Sequence, residues 1–173
     1  MNMNRTLRHT TLVAVIALVL IGAAITPAAE KPNSVLAFER LTSLGGEWKG
    51  TQDGTEMRLT YTLTADGSAL MEEFRAGKDV MVTMFTVDGD HLIATHYCSA
   101  GNQPQMVTKA ITDASAKSLT FGLAHAYGMK TPDDWHNTGL TVTLEDDRHL
   151  TQVWTYEYKG KTGTNTFHFT RER

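Results

Sequence analysis

From Glu47 onward apolar and polar residues alternate with a period of two, and turn-forming residues interrupt the alternation at the roughly 8–12-residue spacing of an all-β chain. The pattern is plainest where Met57, Leu59, Tyr61 and Leu63 alternate with Arg58, Thr60, Thr62 and Thr64. Successive strand side chains point to opposite faces, so such a segment buries one face and wets the other. Ala65-Asp66-Gly67-Ser68 then reverses the chain, because Asp-Gly adopts the positive φ angles of a tight hairpin. The same reading places strands over residues 69–74, 81–87, 91–98, 106–112, 118–123, 140–144, 150–158 and 165–171. Ala76-Gly77-Lys78, Asp88-Gly89-Asp90, Glu145-Asp146-Asp147 and Lys159-Gly160-Lys161 connect several of them. Threonine fills many exposed strand positions, as strand propensity favours. Short antiparallel strands on hairpin-length connections each bury one face, and closing the sheet removes its unpaired edges. The expected fold is all-β, an up-and-down antiparallel barrel of about 8–10 strands, with a sandwich of the same strands as the alternative.

What precedes the alternation is of a different kind. Arg5 and Arg8 lead into an apolar and small-residue run over residues 12–25, and Thr26-Pro27-Ala28-Ala29 follows. That order is a secretory signal peptide, and the run is shorter than the roughly 20 residues of a membrane-spanning helix. Next, Asn33 or Ser34 can cap a helix carrying Val35, Phe38 and Leu41 at helical spacing, which Gly45-Gly46 stops. The expected organisation is signal peptide over 1–28, linker and short amphipathic helix over 29–46, and barrel over 47–173. Export to the periplasm or beyond follows, with no stable membrane insertion after cleavage. Removing Arg5 and Arg8 moves the formal net charge from −3 to −5, which argues against nucleic acid as a partner. Cys98 is the single cysteine, so no internal disulfide forms.

Two short motifs bracket the alternating region. Gly46-Glu47-Trp48-Lys49-Gly50 resembles the G-x-W that opens the first strand of lipocalins and fatty-acid-binding proteins, and Phe169-Thr170-Arg171 resembles their last strand. The resemblance implies a calycin-like barrel in which Trp48 plugs one end and Arg171 packs over it, or Arg173 in another register. Between them, Met81-Val82-Thr83-Met84-Phe85, Asp88-Gly89-Asp90, Thr95-His96-Tyr97-Cys98 and Gly101-Asn102-Gln103-Pro104 resemble a group of uncharacterised bacterial secreted proteins with a T-H-Y-C-x-x-G-N-Q-P pattern. This second resemblance implies a shared fold and site but no activity.

The candidate site residues follow from strand alternation. His96 and Cys98 share a face with Leu92 and Ala94, which turns them towards the barrel interior. His-x-Cys is half of a zinc or copper ligand set, but no second cysteine or tight histidine pair completes it, so a hydrogen-bonded core histidine is the competing reading. Glu72 shares a face with Leu70 and Phe74, and near His96 it would form a buried pair or an acid–base pair. Asn102 and Gln103 would sit at the barrel mouth, as ligand contacts or as partners of loop backbone. Residues 124–137 read as a long loop that could bring Trp135 or His136 to the interior as a lid. Leu150, Gln152, Trp154, Tyr156 and Tyr158 form an aromatic, partly polar wall.

The expectation is an exported barrel holding a small, partly apolar ligand against Glu72, His96, Asn102, Gln103, His136 and Trp154, with Trp48 and Arg171 closing the barrel. No nucleophile motif such as G-x-S-x-G and no metal set is present, and the sequence leaves the cofactor unknown. The alternatives are an enzyme using His96 with Glu72, or a haem- or metal-binding barrel. For haem, His168 holds the matching position, but Phe167 and Phe169 claim the inward face and turn it out.

Overall fold

The computed structural model describes residues 30–172, so the signal-peptide expectation for 1–28 lies outside the described residues. Helix α1 (Asn33–Thr42) is followed by β1 (Gly46–Gln52), β2 (Thr55–Thr64), β3 (Ala69–Ala76), β4 (Asp79–Asp88) and β5 (His91–Tyr97). Then come β6 (Gln103–Thr108), β7 (Ser118–Tyr127), β8 (His136–Leu144), β9 (His149–Tyr158) and β10 (Lys161–Arg171). Each strand pairs antiparallel with the next in sequence, and β1 pairs with β10, which closes a barrel of ten strands. The barrel, not the sandwich, is the observed solution. No helix among the described residues is long and apolar enough to cross a membrane.

Alternation delivers the core. Leu59 from β2, Leu70 from β3, Phe85 from β4, Leu92 and Ala94 from β5, Met106 from β6 and Phe121 from β7 are buried inside the ring. At one end α1 covers the opening with Ala37, Phe38 and Leu41. Ser34 Oγ donates to the Gly89 carbonyl (2.7 Å), tying the helix to the β4–β5 turn. Trp48, fully buried, lies beneath the helix and donates its indole N–H to the Leu44 carbonyl (2.8 Å). The Arg171 guanidinium stacks 4.2 Å from the Trp48 ring centroid, a cation–π contact. Its N–H groups also reach the carbonyls of Ser43, Gly45 and Asp147 at 2.7–2.9 Å. One side chain of the last strand thus holds the helix–strand junction and the β8–β9 turn.

The strands differ from expectation where bulges intervene. Of the loop expected over 124–137, residues 124–127 and 136–137 belong to strands, and 128–135 remain as the connection. β7 continues to Tyr127 because a register shift opposite Gln105/Met106 absorbs one residue and lets His125–Tyr127 keep pairing with β6. The connection left between β7 and β8 is short and tied down. Asp134 accepts from the Lys130 and Thr131 backbone N–H groups, and Lys159 N–H donates to the Asp133 carbonyl. β5 ends at Tyr97, so Cys98 leaves the wall and turns the chain, its N–H donating to the Asn102 carbonyl (3.1 Å). Cys98 is therefore half-buried in a turn rather than inside the barrel beside His96.

The closing seam is short, with Trp48 opposite Arg171 and Lys49 opposite Thr170. A Cβ at Gly50 would collide with the His168 carbonyl oxygen and lie 3.1 Å from Phe169 Cδ1. Backbone cannot yield there as a side chain can. Gly50→Ala is expected to lose about 1–3 kcal/mol in urea unfolding and to speed amide exchange in β1 and β10 ahead of other strands. Unchanged stability and exchange would contradict the tight seam.

Candidate functional site

Hairpin register, not sequence proximity, assembles the polar interior. Tyr61 on β2 lies directly opposite Glu72 on β3, Glu72 opposite Thr83 on β4, and Thr83 opposite His96 on β5. Directly opposed side chains on one face sit about 5 Å apart at Cβ, so the four form a row across adjacent strands. All point inward and are buried, Glu72 to 1% and His96 to 3% exposure. From the far wall β9 sends Gln152 and Trp154 to meet them.

The hydrogen bonds run along this row. Tyr61 O–H donates to Glu72 Oε2, and Gln152 Nε2 donates to both the Tyr61 hydroxyl (2.8 Å) and Glu72 Oε2 (2.5 Å). Trp154 Nε1 fixes Gln152 by donating to its Oε1 (2.8 Å). Thr83 Oγ1 lies 3.3 Å from Glu72 Oε1 and 3.0 Å from His96 Nδ1. The His96 ring also packs 4.7 Å from the Trp154 ring, centroid to centroid. Its other nitrogen, Nε2, is buried without a partner. A buried, unpaired polar atom is the exception in folded proteins and asks for a reason.

That reason lies next to it. A cavity of about 120 Å³ is lined by Phe74, Met81, Trp135, Phe167, His96, Trp154 and the carboxamide residues Asn137 and Asn165. It lies towards the barrel end opposite α1, where Trp135 enters from the β7–β8 connection. Larger grooves exist, but they run over the outer surface and hold none of the buried polar row. Burial sets the charges. It pushes the Glu72 carboxyl up to about 7, although Tyr61, Gln152 and Thr83 all pull downward by hydrogen bonding to it. Burial also lowers His96 to about 4. The Tyr61 phenol is raised well above 10 by burial and then by the Glu72 charge. Burial thus favours the neutral form of both His96 and Glu72.

No protein-family model matches the chain, and no curated protein matches it. Among solved structures it is similar to a protein of unknown function from the DUF3598 family of Nostoc punctiforme PCC 73102, with TM-score 0.51 and 17% identity. The match covers 87% of this chain and 53% of that one, so the chain spans about half that protein's length. The likeness is one of fold. It supports a closed antiparallel barrel and carries no activity.

Of the residues singled out in the sequence, Glu72, His96 and Trp154 come together in the row and at the cavity. Asn102 is buried but does not line the cavity. Its Nδ2 donates to the Trp135 carbonyl (2.6 Å), holding the loop that carries this indole. Gln103 folds back on the Gly101 carbonyl (3.1 Å), also outside the cavity. The strand alternates at His136 and Asn137, so Asn137 faces in, while His136 packs under Met129–Pro132 on the outside and contacts the Asp134 carbonyl. His168 lies on the outer face with Thr151. Among the described residues no group of three or more ligating side chains is placed to hold a metal. Tyr61, Thr83, Asn137 and Asn165 were not singled out as site residues, because each reads in isolation as an ordinary strand residue.

The opposed charges give a pH signature. Glu72, raised from 4.5 to about 7, contributes stability that is full below 4.5 and is lost as pH rises through 7. His96, lowered from 6.5 to about 4, contributes stability that is full above 6.5 and is lost as pH falls through 4. The two offset one another in the native chain. Glu72→Gln is expected to leave stability rising with pH over 4–6.5, and His96→Phe to leave it falling over 4.5–7. Each swing is about 3 kcal/mol at most. Urea midpoints across pH check both signs, and parallel profiles in the two variants would contradict the assignment.

Proposed function

We propose that this barrel is an exported, calycin-like small-molecule site in which His96 meets the ligand as an acid–base group and Glu72 takes the proton. The observation that carries this reading is the buried, unpartnered Nε2 of His96, a residue that lines an aromatic-walled cavity. The N-terminal segment and the bracketing Trp48 and Arg171 supply the export and calycin parts of the proposal.

The size of the cavity limits the ligand. A void of roughly 150 Å³ takes up benzene, and drug-sized ligands occupy roughly 300–1000 Å³. A cavity of about 120 Å³ accordingly suits one ring or its equivalent, and a haem macrocycle is several rings too large. Phe74, Phe167, Trp135 and Trp154 offer faces to a planar group, while Asn137 and Asn165 offer both donors and acceptors at its edge.

The row explains how a weakly basic imidazole can take a proton. As the ligand proton passes to Nε2, the Nδ1 proton passes to Thr83 Oγ1 and the Thr83 hydroxyl proton to Glu72 Oε1. The ligand is left as its conjugate base, His96 and Thr83 end neutral, and Glu72 ends as the acid. A final acceptor near pH 7 suits general-base chemistry at neutral pH.

Proton abstraction is read directly from hydrogen–deuterium exchange of cyclohex-2-enone in D2O, followed by proton NMR. With enone at saturation, wild type is expected to accelerate exchange with a rate that rises with pH as Glu72 ionises. His96→Gln and Glu72→Gln should each lower it by about 100-fold or more while circular dichroism stays native. Enone that shifts cavity resonances without faster exchange would overturn the acid–base role and leave holding alone. Enone that shifts no cavity resonance would overturn the site itself.

A further inference from the structure

The direction of the hydrogen bond that the cavity offers is set two residues away from the ligand. The Thr83 hydroxyl has a single proton and lies between Glu72 Oε1 and His96 Nδ1, so it donates to one and accepts from the other. With Glu72 ionised, Thr83 donates to the carboxylate and His96 must donate from Nδ1. Nε2, without a protein partner on a residue that lines the cavity, is then a bare acceptor. With Glu72 protonated, the acid proton belongs on Oε1, because Tyr61 and Gln152 already donate to Oε2. Thr83 then accepts from Glu72 and donates to Nδ1, and the imidazole carries its proton on Nε2.

We propose that the cavity therefore accepts two complementary classes of single-ring ligand, O–H or N–H donors while Glu72 is ionised and carbonyl or ring-nitrogen acceptors while it is protonated. The substrate class that presents both is a cyclic compound that interconverts between hydroxy and oxo forms. This inference rests on the reading of the cavity as the ligand site at His96, and it deepens that reading by naming the chemistry at the ligand edge.

Little else can interfere with the switch. From β2 the titratable group facing Glu72 is Tyr61, and from β5, through Thr83, it is His96. β4 and β9 present Thr83 and Gln152, which do not titrate. Among the described residues no salt bridge reaches Glu72. Tyr61 stays protonated and His96 stays neutral across ordinary pH, so Glu72 alone changes state there.

Long-range nitrogen–proton NMR of protein labelled with 15N-histidine reports which His96 nitrogen carries the proton. The proton is expected on Nδ1 at high pH and on Nε2 at low pH, reversing near 7. Phenol, a donor probe, should bind about tenfold more tightly at pH 8.5 than at pH 6, as the competent fraction grows. Cyclohex-2-enone, an acceptor probe, should weaken over the same interval by at least about as much. Glu72→Gln turns its carbonyl to Tyr61 and Gln152 and its NH2 to Thr83, which should lock the proton on Nε2 at every pH. Thr83→Val should abolish the reversal, and Thr83→Ser should restore it. A single wild-type tautomer across the range, or a reversal that survives Thr83→Val, would overturn the inference even if both probes bind. Probes that fail to perturb His96 and Trp154 at any pH would instead overturn the underlying site.

Discussion

A carboxyl group sealed inside a β-barrel with no cation beside it is the constraint on which the interior depends. Leaving such a group unpaired would be costly, so each of its oxygens is met by donors. Tyr61 and Gln152 serve one oxygen and Thr83 the other. Those donors have orientations of their own to settle, and Trp154 fixes Gln152 while His96 meets Thr83. The consequences propagate outward until they stop at His96, whose Nε2 has no protein partner and which lines a cavity. The place where satisfaction ends is where a ligand can begin.

The two barrel ends divide the tasks. At one, α1, Trp48 and Arg171 form a plug that ties the helix junction, the first strand and the last together. Below it Leu59, Leu70, Phe85 and Phe169 fill the ring, so that half of the barrel is core. At the other end the aromatic residues stand around a space instead of filling it. The loop beside that space is pinned by Asn102 and Asp134, which holds Trp135 in the wall. A filled half that gives stability can support a half that leaves His96 Nε2 and Asn102 Oδ1 unpaired.

Much of this was legible in the alternation. The faces of Glu72 and His96 could be read from Leu70 and Phe74, and from Leu92 and Ala94, because a strand sends every second side chain the same way. The row itself was not, because it needs register as well as face. The information was present in the turns. Ala76 pairs with Asp79 and Asp88 with His91, so Gly77-Lys78 and Gly89-Asp90 are two-residue hairpin loops, each with a glycine at positive φ. Once those loops are fixed at two residues, Glu72 must oppose Thr83 and Thr83 must oppose His96. Bulges defeated the reading elsewhere. The shifts between Gln105 and Met106 and between Asn137 and Gly139 break the period of two, hiding the full length of β7 and the inward turn of Asn137. For Asn102 the sequence leaves a ligand contact and a loop-backbone partner open, because it shows a carboxamide beside a turn but not the Trp135 carbonyl that its Nδ2 meets.

What the interior requires of Glu72, buried and without a cation, is that it change protonation state in the neutral range while the barrel stays folded. Infrared difference spectroscopy reads this through the carbonyl stretch of a protonated carboxyl group, isolated by subtracting the spectrum of Glu72→Gln from that of wild type at each pH. A protonated-carboxyl band is expected to persist well above the ordinary glutamate range and to disappear with a midpoint near 7. A band already gone by pH 5, or one that leaves only as the protein unfolds, would contradict it.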